Sequence, residues 1–177
     1  MIKPFEFYFD FISPYSFLAH KEITKIEKEN SIKIKYKPIL LGGLHNLHGI
    51  KAPAFIPAKA KHMIKDCKLI AEKNSIKFKF NSYFPIRTLN LMRGVLVAEE
   101  DNFKSYYIDC IFNAIWQDGI NLNDENILQK ILKNLSVNPK TFLLRTTSSS
   151  IKDSLKYKTN EAFNKGIFGA PTFVSNN

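Results

Sequence analysis

A chain of 177 residues with 45% hydrophobic content is long enough for one domain with a substantial core, and its composition is that of an ordinary folded protein. No apolar run approaches the roughly 20 residues a membrane span needs, and Glu6 and Asp10 interrupt the apolar N-terminus where a signal peptide would be continuous, so a cytoplasmic protein is expected. The net charge of +10 comes almost entirely from scattered lysines, with Arg87, Arg93 and Arg145 as the arginines; this is a solvating pattern that argues against a nucleic-acid site and favours anionic small molecules at long range.

Phe5, Phe7, Phe9 and Phe11 recur with period two, which predicts a strand over about 4–10 with one face buried under aromatic rings. A helix is predicted from about 14 to 29, its apolar stripe marked by Ala19, Ile23 and Ile26. Asn30-Ser31 breaks it. In the following strand, 32–38, Ile32, Ile34 and Tyr36 alternate with Lys33, Lys35 and Lys37. Strand, helix and strand at this spacing make a βαβ unit.

From Pro38 to Lys59 the Gly- and Pro-rich text reads as a loop wrapping over something. Helical spacing then recurs at 59–74, 86–99, 102–117, 124–135 and 139–165, with Asn81, Asp101, Asn123 and Asn138 as candidate caps. The last stretch is expected to be interrupted near Thr146–Ser150, where hydroxyl residues cluster. Residues 165–175 return to strand grammar, with Phe173 and Val174 as the strand residues. The layout is an α/β domain interrupted by a helical insertion.

Two stretches can carry chemistry. Ser13-Pro14 is good helix-start sequence, since Ser caps and Pro suits the first helical position. The same place presents unpaired N–H groups and the positive end of the helix dipole, which stabilises an anion such as a thiolate by roughly 0.3–1 kcal/mol. The second stretch, Gly169-Ala170-Pro171-Thr172, is either a trans proline opening an edge strand or a cis-Pro turn. In the cis case the Ala170 backbone is free to pair with a peptide-like ligand. His45 and His48 lie three apart but lack a third ligand of suitable type, so no metal is expected. Cys67 and Cys110 form no CxxC and read as reduced, mostly buried thiols. The absence of cysteine at 13 and 16 argues against disulfide exchange. Trp116 and the many phenylalanines read as packing, some of them lining an aromatic pocket.

Four segments in order, "FYFDFISPYSFLA", "LLGGL…HGIKAPAFIPAK", "AIWQDGINLND" and "TNEAFNKGIFGAPTF", resemble the 2-hydroxychromene-2-carboxylate isomerase family, relatives of kappa-class glutathione transferases and DsbA-like proteins. The resemblance spans essentially the whole chain. It implies a thioredoxin-like domain at 1–58 and 150–177, interrupted by an all-helical insertion at 59–149. It also implies glutathione as cofactor, a small aromatic and anionic substrate, no membrane or nucleic-acid partner, and leaves a homodimer open. By this resemblance Ser13 hydrogen-bonds the glutathione sulfur from the position of the first cysteine of a CxxC. Ala170, before Pro171, receives the cysteinyl backbone, and Lys59 lies near the tripeptide. The activity implied is isomerisation by reversible thiol addition to a conjugated double bond. Alternatives are a kappa-like transferase and a non-catalytic thioredoxin-like binding module. Ile50 and Arg87 stand where many relatives carry Asn, which is expected to remove one polar contact and to alter the substrate side. Family members continue past the last strand into a segment that holds the γ-glutamyl end. Either the reading frame continues past Asn177 or this member lacks those contacts.

Overall fold

The computed structural model describes residues 5–30 and 33–175. The expected strand start at residue 4, and the break and strand start expected at 31 and 32, lie outside them. Strand β1 (Glu6–Phe9) is the centre of a three-stranded sheet. On one side it pairs in parallel with β2 (Lys35–Pro38), Phe7 opposite Tyr36; on the other it pairs antiparallel with β3 (Thr172–Val174), Phe7 opposite Phe173.

The predicted alternation holds, but both faces of β1 are covered, not one. Phe7 and Phe9 point into a large core with Phe11, Phe17 and Phe112, built against helix α1 (Pro14–Asn30) and the insertion helices. Tyr8 points the other way, into a smaller core with Ile39, Leu44, Ala162 and Ile167. That second layer exists because helix α2 (Leu41–His48) lies against α8 (Ser149–Asn164). The period-two pattern reports which residues share a face; it does not report what covers each face.

Helix α2 occupies the stretch expected to be a loop. Gly42 and Gly43 each cost about 1 kcal/mol of helix propensity relative to Ala, and no side chain of its own caps its start. Tertiary contacts compensate. Leu44 and His45 are buried, and the Asp10 carboxylate accepts the Leu41 N–H at 2.8 Å. Gly49, in the left-handed region at φ 67°, ends the helix.

The remaining helices are α3 (Pro57–Lys73), α4 (Leu89–Glu100), α5 (Lys104–Trp116), α6 (Glu125–Asn134) and α7 (Pro139–Thr146). Asn138 caps α7 as expected, and the predicted interruption separates α7 from α8, where Ser148 takes the cap. Three expected caps are corrected. Asp124, not Asn123, caps α6. Asp101 follows α4 and pairs with Arg145. Asn81 is buried and donates to the Ile115 and Ile120 carbonyls, both at 2.9 Å, so it braces α5 and the turn after it. A polar residue before an apolar run is a cap only if the helix starts there, and these starts were off by a few residues. Trp116 is fully buried, and its indole N–H donates to the Phe11 carbonyl at 2.8 Å. This bond ties α5 to the exit of β1. No described helix is long and apolar enough to cross a membrane.

Candidate active site

Where β1 gives way to α1, the chain makes a turn organised by one buried carboxylate. Asp10 has no solvent exposure. Its Oδ1 accepts the Ile12 N–H at 3.0 Å, its Oδ2 accepts the Leu41 N–H, and its backbone carbonyl accepts the Ser13 N–H at 3.1 Å. Burial raises its pKa, and hydrogen bonds from Ile12, Leu41 and Thr88 oppose that rise. Asp10 therefore fixes the turn that carries Ser13 and the first residue of α2 together.

Ser13 is the N-cap of α1: its Oγ accepts the Ser16 N–H at 3.1 Å, and Pro14 takes the first helical position. The hydroxyl proton goes elsewhere, to the backbone carbonyl of Ala170 at 2.9 Å, 157 residues along the chain. The Ala170–Pro171 peptide is cis, the second of the two alternatives the sequence left open. The two serines of the motif part ways here. Ser16 is fully buried, and its Oγ finds no partner among the described residues.

Ser13 and Ala170 meet at the wall of a cleft of about 860 Å³. Ser13, Pro14 and Tyr15 come from α1, Leu41, Gly42 and His45 from α2, and Lys59, His62 and Met63 from α3. Phe55, Phe84 and Phe168 complete a largely apolar lining. Lys59 is exposed at the rim, and among the described residues no carboxylate lies within ion-pair distance of it. Three of the four site residues expected from the sequence, Ser13, Lys59 and Ala170, thus share one cavity. Pro171 follows Ala170 and is not on the wall. Ile50 is on the wall, whereas Arg87 is exposed outside it, its backbone N–H donating to Asn123.

Several wall residues were not anticipated. Tyr15 donates to Asp66 at 2.7 Å; burial first, then the Asp66 acceptor, push its phenol upward, so it stays protonated. Burial and neighbouring His48 lower the His45 pKa, which favours a neutral imidazole. His48 turns away and donates to the Ile167 carbonyl at 2.8 Å. Phe84 and the cis Phe84–Pro85 peptide bring the aromatic cluster around Trp116 to the cleft. An acid closing an apolar strand, as Asp10 does, was the available signal for the buried joint; nothing local marks Tyr15 or Phe84.

Among the described residues the cleft offers the N-terminus of α1, the Ser13 hydroxyl, the Tyr15 phenol whose proton goes to Asp66, the His45 and His62 imidazoles, the Ala170 peptide edge and the Lys59 cation, against otherwise apolar walls. It offers no thiolate of its own. Burial pushes the Cys67 thiol up to about 12, helped by Asp66, and burial also raises Cys110. Both cysteines are free. Neither cysteine is among the residues that line the cleft.

The family model of the DSBA-like thioredoxin domain matches residues 5–177. The chain is 25% identical over 169 residues to the 2-hydroxychromene-2-carboxylate isomerase of Pseudomonas putida, covering 94% of this chain and 82% of that protein. It is 24% identical over 180 residues to glutathione S-transferase kappa 1 of Rattus norvegicus, covering 96% and 80%. The solved structure of a 2-hydroxychromene-2-carboxylate isomerase superposes with a TM-score of 0.88 at 22% identity, covering 97% of this chain and 85% of that one. This last likeness places the fold.

Proposed function

This chain belongs to the DSBA-like thioredoxin-domain family, and from its site and its likeness to curated relatives we propose that it is a glutathione-dependent isomerase similar to 2-hydroxychromene-2-carboxylate isomerases. In this reading residues 1–58 and 150–177 form the thioredoxin-like unit and 59–149 the helical insertion. The observation that carries the proposal is the meeting of Ser13 and Ala170 at 2.9 Å on the wall of an apolar cleft, with Lys59, exposed and facing no carboxylate among the described residues, at its rim.

Glutathione fits what these residues offer. Ala170 presents a backbone edge for a peptide, Ser13 one proton for an anionic sulfur, and Lys59 a cation for a carboxylate. Bound there, glutathione would supply a thiol that adds to and later leaves a conjugated double bond. The chain's own part is to hold and tune. The N-terminus of α1 and the Ser13 hydroxyl favour the ionised sulfur, by about one pKa unit from the dipole and a similar amount from the hydrogen bond. Phe84, half-buried, and the exposed Phe55 and Phe168 offer ring faces on which a flat substrate would stack. Lys59 and the overall positive charge draw in an anionic one. A kappa-like transferase reading is supported by the relatives of that name. It differs in outcome, because a transferase consumes glutathione and an isomerase returns it.

The deciding experiment is calorimetric titration with glutathione of the wild type and of Ser13→Ala, followed by ultraviolet absorbance of the bound thiolate against pH. Saturable binding with a depressed thiol pKa that rises in Ser13→Ala is expected. No binding at millimolar glutathione overturns the reading.

A further inference from the structure

Ser13 has a single hydroxyl proton, and the structure shows where it is spent: on the Ala170 carbonyl, at 2.9 Å. The hydroxyl's accepting side is already committed to the Ser16 N–H of the helix cap. Ser13 is 4% exposed, so water has little access to replace a lost partner. An anionic sulfur arriving in the cleft therefore competes with Ala170 for the single proton of the Ser13 hydroxyl. Moving that proton to the sulfur leaves the Ala170 carbonyl short of a donor in a half-buried site, which is costly unless another N–H takes its place.

We infer that Ser13 and Ala170 act as a coupled donor exchange, selecting ligands that carry an amide N–H and a thiol on neighbouring carbons. The ligand's N–H takes over the Ala170 carbonyl, the Ser13 proton turns to the sulfur, and the thiol loses its own proton to solvent. This inference rests on the proposed use of glutathione and deepens it, because it makes thiol activation conditional on the peptide N–H. The spacing is suitable. In a cysteine unit the amide nitrogen and the sulfur are three bonds apart, about 3 Å in a gauche rotamer, close to the 2.9 Å between Ala170 O and Ser13 Oγ. A thiol with no amide N–H at that position should occupy the cleft without being activated. The same coupling explains why the motif can dispense with a second reactive group. Ser16 points into the core, and the partner that Ser13 needs is supplied by the cis-Pro turn instead.

The test compares glutathione with its depsipeptide analogue, in which an ester oxygen replaces the cysteinyl amide N–H, each saturating the wild type and Ser13→Ala. The bound thiol pKa is read from thiolate absorbance. For glutathione it should be depressed in the wild type and rise by about one unit in Ser13→Ala, the worth of one charge-assisted hydrogen bond. For the analogue it should already lie near the Ser13→Ala value in the wild type and change little on mutation. An analogue thiol as acidic as that of bound glutathione in the wild type overturns the exchange while leaving the glutathione reading intact. Absence of saturable glutathione binding overturns both. If the analogue cannot reach saturation, S-methylglutathione decides, since its thioether makes no strong claim on the proton. Ser13→Ala should weaken glutathione about tenfold at a pH where the thiolate forms, and leave S-methylglutathione within about twofold. Equal weakening of both ligands overturns the inference.

Discussion

The Asp10 carboxylate accepts the Leu41 N–H at 2.8 Å, so the turn that presents Ser13 and the start of helix α2, which lines the same cleft, are joined through one buried side chain. Removing it should harm fold and site together. Asp10→Ala leaves the Ile12 and Leu41 N–H groups without their acceptor and opens a small void, a loss of about 2–4 kcal/mol. Urea unfolding should report that loss, and glutathione titration of the folded fraction should show weaker binding than in the wild type. The pH dependence has a definite sign. Burial first, against its hydrogen bonds, raises the folded pKa above the ordinary 3.8. The stability Asp10 contributes through protonation is therefore complete below 3.8 and is lost as pH rises through its folded value.

Glu6 behaves in the opposite way. Burial works against its charge, but hydrogen bonds from Tyr8, Lys37 and Lys165 outweigh burial and hold its carboxyl at about 2, below the ordinary 4.5. A depressed folded pKa gives stability that is present above 4.5 and lost as pH falls towards 2. The drop corresponds to about 3 kcal/mol at most. Glu6→Gln should be less stable than the wild type at pH 7, and the gap should close as the pH is lowered through this window. A gap independent of pH would remove Glu6 from acid sensitivity.

Gly94 sits inside α4 where the Tyr107 ring crosses it. A Cβ there would clash with the Tyr107 hydroxyl and lie 2.7 Å from Tyr107 Cζ and 3.2 Å from Phe142 Cε1. Tyr107 is fully buried and donates to the Leu91 carbonyl at 3.1 Å, so it cannot step aside. Gly94→Ala should destabilise by about 1–3 kcal/mol despite the better helix propensity of Ala. Pairing it with Tyr107→Phe should recover part of the loss, measurable as a non-additive double-mutant cycle.

Lys59 projects from the rim without a carboxylate partner among the described residues. Lys59→Met keeps the aliphatic stem and removes the charge. Glutathione affinity should fall about 3- to 10-fold at low salt, with a smaller difference at high salt, and folding stability should stay within about 0.5 kcal/mol of the wild type. An affinity unchanged at low salt would exclude Lys59 from the site.

The sequence by itself determined the local events. Period-two aromatics made a strand, Ser13-Pro14 started a helix, Asn138 and the Thr146–Ser150 cluster placed helix boundaries, and Phe173-Val174 marked the closing strand. These follow from short-range physics: dihedral preferences, capping and the side-chain period. Tertiary structure decided everything that needed a distant partner. Helix α2 forms against its own two glycines because Asp10 and α8 hold it, and β1 is buried on both faces because that layer exists. Of the candidate site, Ser13 and the Ala170-Pro171 turn were legible each from its own stretch, Lys59 came only through the family resemblance, and Tyr15 and Phe84 had no local signal. Their relationship was not: the proton of Ser13 rests on a carbonyl 157 residues away, and no local pattern specifies a hydrogen bond that only the closed sheet brings within reach.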